Sequence, residues 1–390
     1  MSKSLQRFLA ERVRLEGVSE RAKMMEIAAN YKDTVNLGRG DPDLETPQYI
    51  IKAAQDALVN GATHYSPWAG ILPLRKAIAK YLADFDKVAY DPAQEIMVTT
   101  GAQEAIVTTI LTLVNPGDEI LVPEPRYTPY DFSIALAGGR LAPVPTFAED
   151  NWSVTVRELE KIVTPRSKIL LLINPNNPTG TLMGIEELTE IADFAIKHDL
   201  IVISDELYSG LLFERVPWTS IAALPGMKER TIVINGFSKT YSMTGWRLGY
   251  LAGPAELVQP MLEVHYSLTI CAPAVSQAAG LAALNDNQGA VAETVKIYEE
   301  RRNLAMQRLD EIGIPYVKPM GTFYIFPQIS KYGLSSFDFS VRLLDQANVM
   351  VFPGTAFGPA GEGFVRISLL RPYIEVEEGF NRMARVLGKW

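Results

Sequence analysis

The sequence contains little cysteine, little histidine and no long apolar run, and each shortage excludes a class of protein. Cys271 is the only cysteine among 390 residues, so no disulfide can form within the chain, a usage typical of a reducing compartment. The histidines His64, His198 and His265 are not spaced as metal ligands. No apolar stretch approaches the ~20 residues that a membrane-spanning helix needs. We therefore expect no internal disulfide, no metal site and no membrane span.

The charge balance excludes a further class, the nucleic-acid-binding proteins. The chain carries 37 basic and 45 acidic residues, interspersed along its length, and a net charge of −8, so it lacks a basic surface that would bind nucleic acid. Residues 1–12 are rich in charge and lack the apolar core of a signal peptide, which predicts a cytoplasmic protein. With 390 residues, 47% of them hydrophobic, the chain can bury a large core and is expected to form two domains.

Three polar motifs stand directly behind apolar runs that have the composition of buried strands. The runs and the motifs that follow them are Lys168–Ile173 with Asn174-Pro-Asn-Asn-Pro-Thr-Gly180, Leu200–Ser204 with Asp205-Glu-Leu-Tyr208, and Thr231–Asn235 with Gly236-Phe-Ser-Lys239. In an open α/β sheet, ligands bind beyond the carboxyl ends of parallel strands, so these loops are expected to meet at one crevice. They would bring together an amide, a carboxylate, a phenol and an amine, and Arg247 adds a guanidinium.

That set of groups suits pyridoxal phosphate, an aldehyde cofactor with an electron-withdrawing ring. Lys239 is the candidate to hold the aldehyde as a Schiff base. The ring withdraws electrons only while its nitrogen stays protonated, and Asp205 can supply the carboxylate that this requires. Tyr208 and Asn177 follow neighbouring strands and can donate hydrogen bonds to the phenolate oxygen of the ring. The sequence therefore predicts a pyridoxal phosphate site.

A phosphate site is predicted where another strand-like run leads into a helix. Gly101, Ala102 and Gln103 open that helix, whose free amides and dipole attract anions, and a glycine lets the backbone come close. Arg247 and the hydroxyl of Ser238 would complete the phosphate cup. A glycine before a helix is common in α/β proteins, so this pattern gains weight only beside the other motifs.

Taken together, the motifs give the chain a resemblance to a known family. Asn174-Pro-x-Asn-Pro-Thr-Gly180, Asp205-Glu-x-Tyr208 and Ser238-Lys-x(5)-Gly-x-Arg247 occur in the order and spacing of the class I/II aminotransferases of the aspartate aminotransferase superfamily. From about residue 35 onward the chain is similar to this family, which has pyridoxal phosphate fold type I. The resemblance implies a pyridoxal-phosphate-dependent aminotransferase.

The resemblance and the alternation of strands and helices from about 96 to 255 predict an α/β fold. We expect a large cofactor-binding domain at 46–285, with a mostly parallel seven-stranded sheet covered by helices on both faces. A smaller α+β domain is expected from 1–45 and 286–390, in which 286–313 forms the connecting helix.

The resemblance also implies roles for individual residues. Lys239 would transfer protons as well as hold the cofactor, and Tyr127 would stack on the cofactor ring. Tyr65 matches a tyrosine that reaches the phosphate of the neighbouring subunit, which implies a homodimer with shared sites. Arg366 matches the arginine that binds the α-carboxylate of the substrate, and Gly40 matches a glycine of the substrate pocket. The residues implied to bind substrate are Gly40, Asn177 and Arg366.

Two departures from the family pattern bear on substrate and cofactor binding. Gly236 stands where many relatives carry a phosphate-binding serine, and Gln103 stands where one aspartate-using subgroup carries a lysine for the distal carboxylate. We find no arginine that resembles the distal-carboxylate arginine of the other such subgroup. The absence of that lysine and of that arginine argues against aspartate as the preferred amino donor. It favours a donor with a neutral or aromatic side chain. The aromatic residues expected to offer pocket surface are Trp68, Tyr127, Tyr130 and Phe357.

Two other functions were compared with transamination. A pyridoxal-phosphate-dependent C–S β-lyase needs the same lysine and the same electron sink, so the sequence leaves this alternative open. Some winged-helix regulators carry an aminotransferase-like domain, but fewer than 40 residues precede Gly40 here, which leaves no room for a DNA-binding module.

Overall fold

The strands form one large sheet and two small ones. The computed structural model describes residues 5–13, 19–285 and 289–390. Its strands are β1 Val35–Asn36, β2 Ile96–Thr99, β3 Glu119–Glu124, β4 Arg140–Pro145, β5 Ser167–Ile173, β6 Ile201–Asp205, β7 Thr231–Gly236, β8 Gly249–Ala252, β9 Tyr324–Ile325, β10 Val349–Met350, β11 Phe352–Pro353 and β12 Val365–Ser368.

The helices alternate with the strands of the large sheet and then dominate the C-terminal part. They are α1 Glu20–Ala28, α2 Gln48–Val59, α3 Leu72–Tyr81, α4 Ala102–Leu113, α5 Pro129–Leu136, α6 Val156–Ile162, α7 Ile185–Lys197, α8 Ala255–Thr269, α9 Ala274–Asn285, α10 Gly289–Ile312, α11 Ser336–Ala347 and α12 Tyr373–Leu387.

The large sheet has seven strands in the order β2-β8-β7-β6-β5-β3-β4, and β8 alone runs antiparallel to its neighbours. Alternate strand residues enter opposite cores. Leu171 and Ile203 pack with α4 and α8, whereas Leu170 and Val202 pack with α7. Burial on both faces explains why these strands are apolar throughout. The predicted mostly parallel seven-stranded sheet with helices on both faces is confirmed.

Two details of the sheet differ from the sequence-based expectations. Arg140–Pro145 forms the edge strand β4, which was not predicted. Its two prolines argue against a strand in general, but an edge position tolerates them because one side of the strand needs no partner. The predicted strand from Arg247 begins only at Gly249, since Arg247 has a left-handed backbone with φ of 51°.

The N-terminal residues pack against the C-terminal part of the chain. Strand β1 pairs in parallel with β10, and β11, β12 and β9 form an antiparallel three-stranded sheet. Val35 and Leu37 share one apolar core with Phe339 and Phe380 of the C-terminal helices. This arrangement agrees with the predicted smaller domain, although the boundaries at 45/46 and 285/286 stay predictions.

The carboxyl ends of the parallel strands lie side by side at one edge of the sheet. Ile173 at the end of β5 is in register with Asp205 at the end of β6, which is in register with Ile234 near the end of β7. The loops that follow therefore start next to each other, as the sequence predicted. In the described part of the chain, no helix is long and apolar enough to cross a membrane.

Candidate active site

A cavity of about 330 Å³ lies at this edge of the sheet, between the strand ends and the C-terminal part of the chain. Of the residues that the sequence assigned to catalysis, cofactor binding or substrate binding, all except Gly101 and Tyr65 line it. Gly38–Asp41 and Arg366 approach it from outside the large sheet. No group of three or more His, Cys, Asp or Glu that could hold a metal occurs within the described ranges.

Lys239 lies in the loop between β7 and β8 and reaches into the cavity. Its Nζ donates a hydrogen bond of 2.8 Å to the carbonyl oxygen of Gly40. Burial lowers the pKa of Lys239, and the charges of Arg366 and Arg247 lower this pKa further. A lowered pKa makes the neutral amine easier to reach, and only the neutral amine can attack an aldehyde or accept a proton.

Asp205 ends β6 with its carboxylate buried at the cavity floor. One oxygen accepts a hydrogen bond of 2.6 Å from the hydroxyl of Tyr130, and the other accepts one of 3.2 Å from the amide of Leu207. Burial raises the pKa of Asp205 to about 6, while these two hydrogen bonds act to lower it. A buried carboxylate at a cavity is a strong partner for a cation, such as a protonated ring nitrogen.

Asn177, Tyr208 and Arg366 form a connected polar wall. The Asn177 amide donates a long hydrogen bond of 3.4 Å to the Tyr208 hydroxyl, and its oxygen accepts one of 3.0 Å from Arg366. Arg366 also donates to the carbonyl oxygen of Gly38 at 2.8 Å, and its guanidinium carbon lies 4.1 Å from the ring centroid of Tyr324. The guanidinium is thus held in place from two sides, which prepares it to bind a carboxylate.

The predicted phosphate cup forms where β2 leads into α4. Gly101 has φ of 81°, and a Cβ atom placed there would lie 2.7 Å from a guanidinium nitrogen of Arg247, so only glycine fits. Helix α4 begins at Ala102, and the amides of its first turn have no carbonyl partner within the helix. Ala102 and Ser238 line the cavity beside Arg247. Amides, a hydroxyl and a guanidinium around one space fit a phosphate group.

These groups match the predicted cofactor one by one within a single cavity. Lys239 offers an amine for the aldehyde, Asp205 a carboxylate for the ring nitrogen, and Tyr208 a hydroxyl for the phenolate oxygen. The cup around Arg247 accepts the phosphate. The residues present therefore fit pyridoxal phosphate.

Tyr65 is 80% exposed and does not line the cavity of its own chain, and its role at the phosphate of a neighbouring subunit stays a prediction. The expectations about the aromatic pocket residues need correction. Of the four aromatic residues expected in the pocket, Tyr127 alone lines the cavity. Tyr130 is buried behind it, Phe357 is buried against the guanidinium of Arg366, and Trp68 packs 4.4 Å from the ring centroid of Tyr266. Gly236, at the end of β7, lies outside the cavity lining as well.

Seven residues line the cavity that the sequence did not assign to the site: Arg21, Asp41, Ile106, Ile173, Leu207, Thr244 and Tyr324. Asp41 follows Gly40 directly, so the motif around Gly40 pointed to its neighbourhood. Tyr324 belongs to a predicted strand, but sequence alone does not show which strand faces the cavity. Arg21 lies in α1, far from every motif, and no sequence signal indicated it.

Known proteins resemble this chain in sequence and in fold. The family model described as aminotransferase class I and II matches residues 32–380. An aromatic-amino-acid aminotransferase of Thermococcus litoralis is 44% identical, and an aspartate aminotransferase of Pyrococcus abyssi is 45% identical; each match covers 97% of this chain and 98% of the relative. A crystal structure of an aromatic aminotransferase from Pyrococcus horikoshii superposes with a TM-score of 0.90 at 44% identity, covering 94% of this chain and 99% of that chain.

Proposed function

The chain belongs to the class I and II aminotransferases and is a pyridoxal-phosphate-dependent transaminase; on this premise, we propose that it moves the amino group of neutral or aromatic L-amino acids to a 2-oxo acid in a ping-pong cycle. The comparisons support transamination and do not support the C–S β-lyase alternative that the sequence left open. The proposed residue roles rest on one observation: Lys239 and Asp205 line the same cavity, beside the phosphate cup.

The cofactor is proposed to be held by groups that line the cavity. When bound, pyridoxal phosphate supplies an aldehyde that condenses with amines and a ring that draws electrons from the substrate α-carbon. The first amides of α4, the Ser238 hydroxyl and Arg247 bind its phosphate. Asp205 holds the proton on the ring nitrogen, and Tyr208 and Asn177 bind the phenolate oxygen. Tyr127, which lines the same cavity, lies against the ring face.

Lys239 is proposed as the group that moves the proton. With substrate bound, the Lys239 amine would accept a proton from the substrate α-carbon and later return it. Its lowered pKa favours the neutral form that this role needs. Arg366 binds the α-carboxylate and so fixes which bond of the α-carbon faces the lysine.

The donor preference is supported by the lining of the cavity. Ile106, Ile173 and Leu207 line it together with Tyr127, so part of the space suits an apolar or aromatic side chain. The Gln103 amide donates a weak hydrogen bond of 3.4 Å to Ser133 and provides no positive charge. The names of related proteins do not decide the donor, because one is called an aromatic-amino-acid aminotransferase and another an aspartate aminotransferase.

A homodimer with shared sites is proposed from the surface around Tyr65. Large apolar side chains are exposed there without cover, since Tyr65 is 80%, Trp68 45% and Leu72 41% exposed. Such a concentration of exposed aromatic and aliphatic surface favours contact with another protein. Tyr65 lies outside its own cavity, as expected if it serves the phosphate site of a second copy.

A location in the cytoplasm is proposed from the cysteine content. Cys271 is a free cysteine, which supports a reducing compartment.

The assignment of Lys239 is tested by borohydride reduction of the purified holoenzyme. Reduction should abolish the cofactor absorbance and attach the cofactor covalently to Lys239, as located by peptide mass analysis. Lys239→Ala should still bind the cofactor non-covalently and lose turnover, whereas Lys228→Ala, a lysine outside the cavity, should keep both. Attachment to another lysine would overturn the assignment.

The shared site is tested by mixing two variants that are each impaired at a different residue. Tyr65→Phe weakens the phosphate site contributed across the interface, and Lys239→Ala removes the proton carrier. If each site draws Tyr65 from one copy and Lys239 from the other, hybrid dimers contain one site with both residues intact and recover activity. Subunit exchange is checked with differently tagged chains. Exchange without recovery would mean that Tyr65 does not serve the site that contains Lys239 of the other copy, and would overturn the shared site.

A further inference from the structure

Arg21 brings a positive charge into the cavity from a helix that no motif marked. It is the second residue of α1 and lines the same cavity as Lys239 and Arg366. Burial lowers the pKa of Arg366, and the charge of Arg21 lowers this pKa further, so the two guanidinium groups interact across the space. Arg21 lines the cavity together with Tyr127. Burial raises the pKa of Tyr127, and the charge of Arg21 opposes that rise.

The first turn of α1 is fixed against the C-terminal part of the chain. The hydroxyl of Thr355 donates a short hydrogen bond to the carboxylate of Glu20, and Met24 is completely buried in a core with Phe352 and Phe357. The hydroxyl of Ser19 caps the helix by accepting from the amide of Ala22 at 3.3 Å. These contacts hold the backbone of α1 at the cavity rim and leave the Arg21 side chain directed into it.

Arg21 has no acidic partner in the described part of the chain, where the ion pairs involve other residues. Its guanidinium carbon lies 5.4 Å from the ring centroid of Phe352, and that of Arg366 lies 5.5 Å from the same centroid. The nearby acid Asp41 is engaged elsewhere, since it pairs with Arg39 at 3.5 Å and accepts from Thr244 at 2.7 Å.

The cavity therefore carries an excess of positive charge. Its described lining includes four basic residues and two acidic ones, namely Arg21, Lys239, Arg247, Arg366, Asp41 and Asp205. The proposed roles give Arg247 to the cofactor phosphate, Lys239 to the cofactor aldehyde and Arg366 to the substrate α-carboxylate. Arg21 remains as a cation without an assigned partner.

We propose that Arg21 binds the distal carboxylate of dicarboxylic amino acids and 2-oxo acids, while Arg366 binds their α-carboxylate. The proposal rests on the proposed function and names a second substrate class for the same site. A guanidinium can form two parallel hydrogen bonds with a carboxylate, so it recognises this group with defined geometry. Arg21 thereby replaces the charge that Gln103 does not supply.

The same residue explains how one cavity accepts two kinds of side chain. With an aromatic or neutral donor, Arg21 keeps its position against the Phe352 ring, and the apolar lining receives the side chain. With a dicarboxylic substrate, the guanidinium leaves the ring and pairs with the second carboxylate. A ping-pong transaminase binds donor and acceptor in turn at one site, so a mobile cation allows an aromatic donor to alternate with a dicarboxylic acceptor.

The test compares Arg21→Gln with the control Lys23→Gln, a neutralisation of an exposed charge on the same helix. Single-turnover rates are measured for glutamate, aspartate and phenylalanine with the holoenzyme, and the affinity for maleate, a dicarboxylate without an amino group, is measured by calorimetry. Arg21→Gln should lower kcat/KM for the dicarboxylic amino acid that wild type uses best, and the maleate affinity, by roughly 10- to 100-fold. Phenylalanine should change by less than about threefold, and Arg21→Lys should retain part of the dicarboxylate activity.

Each other outcome has a clear meaning. Equal loss with phenylalanine and dicarboxylic substrates would show that Arg21 supports the fold of the cavity and would overturn the proposal. Unchanged dicarboxylate kinetics would overturn it too, as would a wild-type enzyme that rejects every dicarboxylate while it accepts phenylalanine. Failure of the proposed function looks different, because wild-type protein would then fail to transaminate phenylalanine, whatever it does with the dicarboxylic substrates.

Discussion

Two acidic residues that follow each other in the chain, Asp205 and Glu206, serve opposite sides of the large sheet. Asp205 faces the cavity, whereas Glu206 is fully buried on the other side and accepts hydrogen bonds from Ser204 at 2.8 Å and Ser220 at 2.6 Å. Burial raises the pKa of both carboxyls, to about 6 for Asp205 and well above its ordinary value for Glu206. The two carboxyl groups therefore differ mainly in their surroundings, because that of Asp205 faces the cavity and that of Glu206 does not.

The rear side contains a second acid close to Glu206. Asp86 is buried there, accepts a hydrogen bond of 2.7 Å from the indole of Trp218, and raises the pKa of Glu206 beyond the effect of burial. Both acids are buried and neither lines the cavity, so a ligand bound in the cavity does not contact them. A buried carboxyl with a raised pKa therefore marks a catalytic group only when a ligand can reach it.

The largest effect expected from this comparison is that of Asp205→Asn. The amide cannot hold the proton on the ring nitrogen, so turnover should fall roughly a thousandfold or more, equivalent to about 4 kcal/mol of activation free energy. Cofactor affinity should fall much less, because the phosphate cup is intact. The measurements are kcat in steady state and cofactor affinity by titration of the absorbance.

The matched control is Glu206→Gln, the same change of a carboxylate to an amide at the next residue of the chain. Turnover should stay within about threefold of wild type, since Glu206 touches neither cofactor nor substrate. Comparable losses in the two variants would mean that the cavity does not distinguish the two carboxyls, and the role assigned to Asp205 would be lost.

The same contrast explains how much of the molecule could be predicted from sequence. The strand ends were predictable because apolar runs bounded by polar motifs are an unambiguous local pattern, and the motifs around Asp205 and Lys239 carry the family spacing. Arg21 was not predictable, because it enters the site through the packing of α1, which no local pattern encodes. Tyr130 was assigned to the wrong surface, since its hydroxyl serves Asp205 and its ring does not line the cavity.

A smaller effect is expected from Tyr130→Phe, which removes the hydroxyl that donates to Asp205. The loss of a hydrogen bond to a charged group, about 1.5–3 kcal/mol at most, should lower turnover roughly tenfold. That hydrogen bond lowers the pKa of Asp205, so its removal raises this pKa. Because protonated Asp205 cannot hold the ring-nitrogen proton by charge, the acid limb of the kcat/KM profile should move to higher pH.

Trp218→Phe is the corresponding change on the rear side, since it removes the donor to Asp86. It should leave the acid limb of the activity profile in place. A Tyr130→Phe profile that coincides with that of wild type would show that the hydroxyl only packs against Asp205 and does not tune it.

The smallest effect concerns stability, and it is tested on the rear pair, Asp86 and Glu206. Burial raises the pKa of Asp86 to about 7, so between about pH 4 and 7 the folded protein holds a proton that the unfolded chain releases. This contribution to stability is greatest at low pH and is lost as pH rises through 7. One such carboxyl should lower the free energy of unfolding by about 1.4 kcal/mol between pH 6 and pH 8.

The double variant Asp86→Asn/Glu206→Gln removes both titrating carboxyls and should lose less stability over that interval, by at least this amount. Asp118→Asn is the control, because hydrogen bonds, first from the Asn115 amide, hold the pKa of Asp118 below its ordinary value and so outside the interval. Urea unfolding at pH 6 and pH 8 gives the three differences. If the double variant loses as much stability as wild type between pH 6 and pH 8, Asp86 and Glu206 do not titrate in that interval. The rear carboxyls would then differ from Asp205 in having no contact with a ligand, and not in holding a proton.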